Sequence, residues 1–268
     1  MFLADHHTHS ICSPDGFVPM VDMAKGAHQA GLSALCLTDH CDFLSLAGER
    51  TPDYNWEAPL LQFEEMQRLW GSKLDLTLGL EFGVGFLDEQ AAKRVLAQPA
   101  LDFVIGSVHN LSEKAGGQDF YCLDYSTEAD CYQALDDYFA SMLRLAGSDC
   151  YDVLGHIIYP IRYMKGSYQA PIEILQYTEE IRKILRTAVE HGHGMEVNTW
   201  KGQTLSEWIP ILKLYRECGG EIITVGSDAH TPEPIGAGIR ETYAMLQDLG
   251  FRYVANYHGR GPDFIKLS

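Results

Sequence analysis

The strongest constraint on the fold is a repeated alternation of short apolar strands and amphipathic helices. Strands are predicted at 2–5, 33–38, 75–81, 101–107, 152–156, 194–198 and 221–227, with a last strand at 251–256 before a tail. Helices are predicted at 19–30, 57–71, 88–98, 127–147, 171–190, 206–218 and 237–247. Such alternation implies a parallel sheet, because a crossover helix returns the chain for the next strand. Seven units in 268 residues point to a closed or nearly closed barrel formed by one domain spanning the chain. A doubly wound open sheet is the alternative. No G-x-G-x-x-G or Walker A loop follows the first strand, which disfavours a dinucleotide or nucleotide fold.

Polar residues able to bind metal stand where the strands end. These are Asp5-His6-His7-Thr8-His9, Thr38-Asp39-His40, Glu81, Ser107-Val108-His109, His156 and Ser227-Asp228-Ala229-His230. In parallel α/β folds these ends open onto one face, where active sites lie. Side chains at i and i+2 of an extended segment point the same way, so His7 and His9 can reach one ion. Asp228 and His230 can do the same from another strand, or a turn can send them to different ions. Imidazole and carboxylate together suit zinc, manganese or iron. One H-x-H pair is commonly a surface feature and one buried histidine a core residue. Recurrence at six strand ends, with no such groups expected inside the strands, favours a metal site, because buried polar groups are costly without partners. His6 alternates away from His7 and His9, so it is expected to face outward or to contact groups behind the ligands. His28 on a helix, His191 and His193 at a helix end, and His258 in the tail are not expected to be ligands.

Net charge is −17, and no Lys/Arg run is present, which argues against nucleic acid as a partner. An acidic shell would repel a phosphorylated substrate unless bound cations reversed the local field. Seven cysteines without a C-x-x-C pair suit reduced thiols in a cytoplasmic protein. The first residues lack a signal-peptide pattern, and no apolar run approaches a membrane span.

The motifs D-H-H-T-H-S at 5–10, L-T-D-H at 37–40, G-L-E-F at 79–82, I-G-S-V-H at 105–109, L-G-H at 154–156 and G-S-D-A-H at 226–230 resemble those of the PHP (polymerase and histidinol phosphatase) superfamily. G-H-I-I-Y-P-I-R, M-E-V-N-T and G-F-R-Y-V are similar to its histidinol-phosphatase branch. The resemblance implies a distorted (β/α)7 barrel, similar to a TIM barrel, with three divalent metal ions (Zn, Mn or Fe). By motif, His7, His9, Glu81 and Asp228 would hold the first ion. Glu81 would bridge to a second, completed by His109 and His156. Asp15, His40 and His230 would hold the third; Asp15 by itself reads as part of a Ser-Pro-Asp-Gly turn. Asp39 stands where the family often has glutamate, with no expected loss of metal.

The implied activity is hydrolysis of a small phosphorylated substrate, histidinol phosphate, by a hydroxide bridging two ions. Glu81, Asp228 and Arg162 form the expected catalytic set. Arg162, shortly after His156, is expected to clamp phosphate through its two-pronged guanidinium, with Lys201 as a second contact. Asp42, Glu113 and Asp119 could form an acidic rim for a cationic leaving group, and loops at 41–56, 110–126 and 157–170 are expected to wall the pocket. Rival readings are a related enzyme for another phosphoester and a metal-binding accessory module without catalysis. An amidohydrolase would need a strand-end lysine, which is not found.

Overall fold

The computed structural model describes residues 1–51, 53–167 and 174–267. Its main sheet contains β1 (Ala4–Asp5), β2 (Ala34–Leu37), β4 (Asp75–Gly83), β5 (Phe103–Ser107), β6 (Val153–Leu154), β7 (Gly194–Asn198) and β8 (Ile223–Gly226), hydrogen-bonded in that order and all parallel. A short strand β3 (His40–Asp42) branches from β2 and pairs with the far end of β4, setting His40 opposite Glu81. β8 returns to β1. The His6 N–H donates to the Val225 carbonyl at 3.0 Å, and the Asp228 N–H donates to the His7 carbonyl at 2.9 Å. The result is a seven-stranded barrel, as the alternation predicts, with the distorted, TIM-like form that the motif resemblance implies.

The closure depends on close backbone approach. A β-carbon on Gly226 would collide with the His7 β-carbon, so β8 can lie against the first strand only with glycine there. Asp5 fastens the same seam. Its buried carboxylate accepts from Ser227 N at 2.9 Å and from Gly236 N at 2.8 Å.

The surrounding helices are α1 (Met20–Gln29), α2 (Glu57–Trp70), α3 (Glu89–Leu96), α4 (Glu128–Ala146), α6 (Thr178–Glu190), α7 (Trp208–Glu217) and α8 (Ile239–Asp248). Each buries one stripe. In α6 it is Ile181, Ile184, Leu185 and Ala188, at the three-to-four spacing that brings residues onto one helical face. Local sequence also starts the helices. Asp88 caps α3 by accepting from the Gln90 and Ala91 N–H groups, and Thr127 with Asp130 forms a capping box on α4. No helix among the described residues is long and apolar enough to cross a membrane.

Three expectations require correction. The strand expected at 251–256 does not join the barrel. β9 (Tyr253–His258) pairs antiparallel with β10 (Gly261–Lys266), so the presumed tail is half of a hairpin. This hairpin covers the amino-terminal ends of the strands, where Ala255 and Tyr257 pack on Cys36, Phe103, Ile105 and Val153. Arg260 there pairs with Asp152, 2.5 Å away. Next, the loop expected at 157–170 holds a helix, α5 (Ile161–Ser167), in its described part; its remainder, like the beginning of the helix expected at 171–190, lies outside the described residues. Finally, polar residues are not confined to strand ends. Glu196 is fully buried inside β7, and Thr77 and Thr224 are buried inside β4 and β8.

Candidate metal centre

All nine residues expected from the sequence as ligands meet at the carboxyl-terminal mouth of the barrel. His7, His9, Glu81, His109, His156 and Asp228 are buried; His40 and His230 are partly buried, and Asp15 is exposed. Glu81, near the end of the long strand β4, is central. Its Oε2 lies 3.1 Å from His7 Nε2 and 3.4 Å from His9 Nε2. Its Oε1 lies 2.8 Å from His109 Nε2 and 2.5 Å from His156 Nε2. Asp228 Oδ1 completes the His7 side, 3.8 Å from His7 Nε2 and 3.6 Å from His9 Nε2.

The turn after β8 separates Asp228 from His230. Asp228 takes a left-handed backbone, φ 61°, which directs it to His7 and His9 while His230 turns outward. His230 Nε2 lies 2.9 Å from Asp15 Oδ2, and His40 Nε2 lies 3.8 Å from the same oxygen. His9 stacks between His40 and His230, with ring centroids 4.4 and 4.2 Å away. Asp42, expected only at the rim, instead sits 2.9 Å from His109 Nδ1 and 3.4 Å from His40 Nδ1. Glu113 is taken up by Arg50 at 2.7 Å, and Asp119 caps the short turn Phe120–Cys122 by accepting from the Tyr121 N–H.

The hydrogen bonds behind these residues decide what the donor set can hold. His7 Nδ1 faces Glu196 Oε1 at 2.5 Å. His109 Nδ1 faces Asp42 Oδ1 at 2.9 Å. His9 Nδ1 faces the Ser13 hydroxyl at 3.0 Å; that hydroxyl donates to Asp39 and so accepts from His9. Each Nδ1 therefore carries the hydrogen, and each Nε2 turns its lone pair inward. His7 Nε2 and His9 Nε2 then face each other at 3.0 Å, with Glu81 Oε2 beside them. Lone pairs converging at this distance repel unless a proton or a cation lies among them. Two ligand atoms, each about 2.0–2.1 Å from one zinc-sized ion, stand roughly 3–3.5 Å apart. The nitrogen and oxygen donors fit divalent metal.

The electrostatics agree. Burial would raise the Glu81 carboxyl, but His109, His7, His40 and His156 overcome it and hold the group well below the usual carboxylate range. Asp228 is likewise held low against burial by His7 and Arg162. Burial and the neighbouring His40 push His9 down to about 3. With carboxylates on both sides outweighing burial, His7 and His109 bind a proton far more readily than free imidazole. The pocket thus attracts positive charge, which bound metal would provide in place of those protons.

Glu196 and Asn198 were not foreseen. Glu196 joins His7 to the His156 backbone N–H, which donates to its Oε2 at 3.0 Å. Asn198 Nδ2 donates to Asp228 Oδ2 at 3.2 Å. The available signal was a carboxylate and an amide at i and i+2 in an otherwise apolar strand. Asp39 is structural, accepting from Ser10 N at 2.5 Å and Ser10 Oγ at 2.8 Å. His6 is buried rather than outward-facing, with Nε2 2.9 Å from Asn256 Oδ1 of the hairpin. His28 packs at a tilt against Trp70, His191 contacts the Thr187 carbonyl and His193 packs on Tyr151.

Beside the metal-binding candidates lies a cavity of about 240 Å³, walled by Tyr159, Arg162, Tyr163, Trp200 and Lys201. The expected phosphate clamp, Arg162, is buried and donates from Nη1 to Asp228 Oδ2 at 2.7 Å. Lys201 is exposed at the mouth.

Fold and site together define a parallel α/β barrel with metal-ligand chemistry at the carboxyl ends of its strands. The chain belongs to the PHP domain family, whose sequence model matches residues 5–200. Asp228 and His230 lie beyond the matched stretch. The chain is similar to a probable histidinol-phosphatase of Deinococcus radiodurans, at 29% identity over 96% of this chain and 97% of that one. It is also similar to a probable histidinol-phosphatase of Thermotoga maritima, at 27% identity over 94% and 95%. Among solved structures, the histidinol phosphate phosphatase of Lactococcus lactis, complexed with zinc, L-histidinol and phosphate, superposes with a TM-score of 0.83. That match covers 97% of this chain and 98% of the other at 23% identity, and attests the shared fold.

Proposed function

We propose that the protein is a metal-dependent phosphomonoesterase that hydrolyses histidinol phosphate to L-histidinol and phosphate. The observation that carries this reading is the position of Glu81, whose two oxygens face separate groups of imidazoles next to a buried guanidinium. In this reading His7, His9, Glu81 and Asp228 hold one ion, and Glu81, His109 and His156 a second. Asp15, His40 and His230 hold a third. Zinc, manganese and iron all suit these donors. Such ions supply Lewis acidity, a more acidic water and neutralisation of phosphate charge.

The chain's own groups supply orientation and recognition. Glu196, Asp42 and Ser13 fix the imidazole tautomers. Arg162 binds phosphate oxygens while Asp228 holds its other edge, and Lys201 adds a positive charge at the mouth. Tyr159 and Tyr163 limit the water around the reacting bond. Local positive charge offsets the net −17 of the chain, which would otherwise repel a phosphate. The names and full-length coverage of the relatives support histidinol phosphate as the ester.

The test is a substrate panel with zinc-, manganese- and iron-loaded protein, containing histidinol phosphate, a nucleotide, a sugar phosphate and a phosphodiester. Histidinol phosphate should lead in kcat/KM by on the order of 10²-fold or more, the margin expected of a site that pairs polar groups on its substrate. A flat profile would reassign the enzyme to another phosphoester. Failure to hydrolyse any ester with any of the three metals would leave a binding module.

A further inference from the structure

The loop after β7 places two consecutive non-glycine residues in the left-handed region, Trp200 at φ 43° and Lys201 at φ 58°. A β-carbon disfavours that region, so such a pair persists only where its surroundings hold it. Here they do. Asn198 Oδ1 accepts from the Trp200 N–H at 2.8 Å, and the Ser227 carbonyl accepts from the Lys201 N–H at 2.8 Å. The same Asn198 donates to Asp228 Oδ2, the oxygen that receives Arg162. The strained turn is thus tied to the carboxylate that anchors the guanidinium.

The indole faces that guanidinium. The central carbon of Arg162 lies 5.3 Å from the Trp200 ring centroid and 5.6 Å from that of Tyr159. Both distances are within cation–π range. Arg162 Nε is buried and lacks a hydrogen-bond partner among the described residues, leaving a donor edge unused. Trp200 is only partly buried and stands apart from the apolar core, unlike Trp208, which is fully buried and donates to the Asn198 carbonyl at 2.7 Å. Core packing therefore does not account for the strained placement of Trp200.

We propose that Trp200 is a positioning residue: its left-handed backbone sets the indole against Arg162 and holds the unused guanidinium edge ready for phosphate. The inference rests on the reading of Arg162 as the phosphate-binding group. It gives the Asn198–Trp200 turn, already hydrogen-bonded to Asp228, a part in substrate affinity as well.

The test compares Trp200→Ala, Trp200→Leu and Trp200→Phe with Arg162→Ala in metal-loaded protein. Readouts are metal content, kcat and KM for a phosphomonoester, and competitive inhibition by inorganic phosphate. Trp200→Ala and Trp200→Leu should each raise KM and the phosphate inhibition constant by about tenfold, with kcat within about threefold and metal content unchanged. Trp200→Phe, which keeps a π face, should stay within about twofold of wild type. Leucine keeps more apolar volume than alanine but has no π face, and it serves if the alanine variant does not fold. Wild-type phosphate binding in the leucine variant, with weakened binding in Arg162→Ala, would overturn the role of Trp200 and leave that of Arg162 standing. Unchanged phosphate binding in Arg162→Ala would overturn the underlying reading. Joint loss of kcat and metal in the Trp200 variants would show a structural role instead.

Discussion

His7 Nδ1 lies 2.5 Å from Glu196 Oε1, and neither side chain reaches solvent. The carboxylate fixes the imidazole tautomer, and its other oxygen holds the His156 backbone. Glu196→Gln keeps the shape but removes the charge. It should weaken metal affinity about 10–100-fold, measured by competition with a chelator. Wild-type affinity in this variant would detach Glu196 from metal binding.

Glu81 and Asp15 should differ in how much metal they control. Glu81 stands between two groups of imidazoles, whereas Asp15 meets His40 and His230 at the exposed edge. Glu81→Gln should lose most bound metal and lower kcat by on the order of 10³-fold or more. Asp15→Asn should lose a single equivalent and leave a larger residual rate. Elemental analysis of the two purified variants checks this; equal stoichiometries would contradict the arrangement.

Metal should also stabilise the fold, since strands β1, β4, β5, β6 and β8 all send candidate ligands to the same place. An ion at about 100 times its dissociation constant adds about 2.7 kcal/mol by mass action. Chelation should therefore abolish hydrolysis and lower Tm, with zinc, manganese or iron restoring both. Calorimetry that found the same Tm before and after chelation would rule out this coupling.

The hairpin offers a pH test away from the metal-binding residues. Its His258 lies 3.0 Å from Asp75 and 3.2 Å from Asp263, and its pKa is raised above the free-imidazole value, first by the hydrogen bond to Asp75. A raised folded-state value means that protonation favours folding. The contribution is complete below the free value of 6.5 and disappears as pH rises through the raised value. His258 is nearly half exposed, so the effect should be under about 1 kcal/mol. Wild type should exceed His258→Gln in stability near about pH 5.5 and match it near about pH 9. A gap that widened toward alkaline pH would have the wrong sign.

Gly226→Ala tests the seam between β8 and the first strand. The added carbon would meet His7 and force the strands apart. Overpacking of this kind costs about 1–3 kcal/mol, and here it should also weaken metal binding, because His7 moves with the strand. Denaturant melts and metal titration of one variant would show both effects; full metal affinity with normal stability would refute the close-approach account.

Much was legible in the chain itself. Strand–helix alternation determines a parallel barrel because short apolar runs and one-sided helices have few other ways to bury their surfaces. The positions of His7, His9, Glu81, His109 and His156 followed from the rule that parallel strands share a carboxyl-terminal face, which is a local pattern repeated. The motif resemblance already sent Asp228 and His230 to different ions; only tertiary structure decided that a left-handed backbone parts them, that 253–266 forms a hairpin under the barrel, and that Glu196, Asp42 and Asn198 stand behind the inward-facing groups. His7 and Glu196 are separated by 189 positions, and their contact exists because barrel closure brings β7 and β8 round to β1. Periodicity records which face a side chain occupies within its own strand. Which remote strand supplies its hydrogen-bond partner is settled by how the strands twist, close and approach.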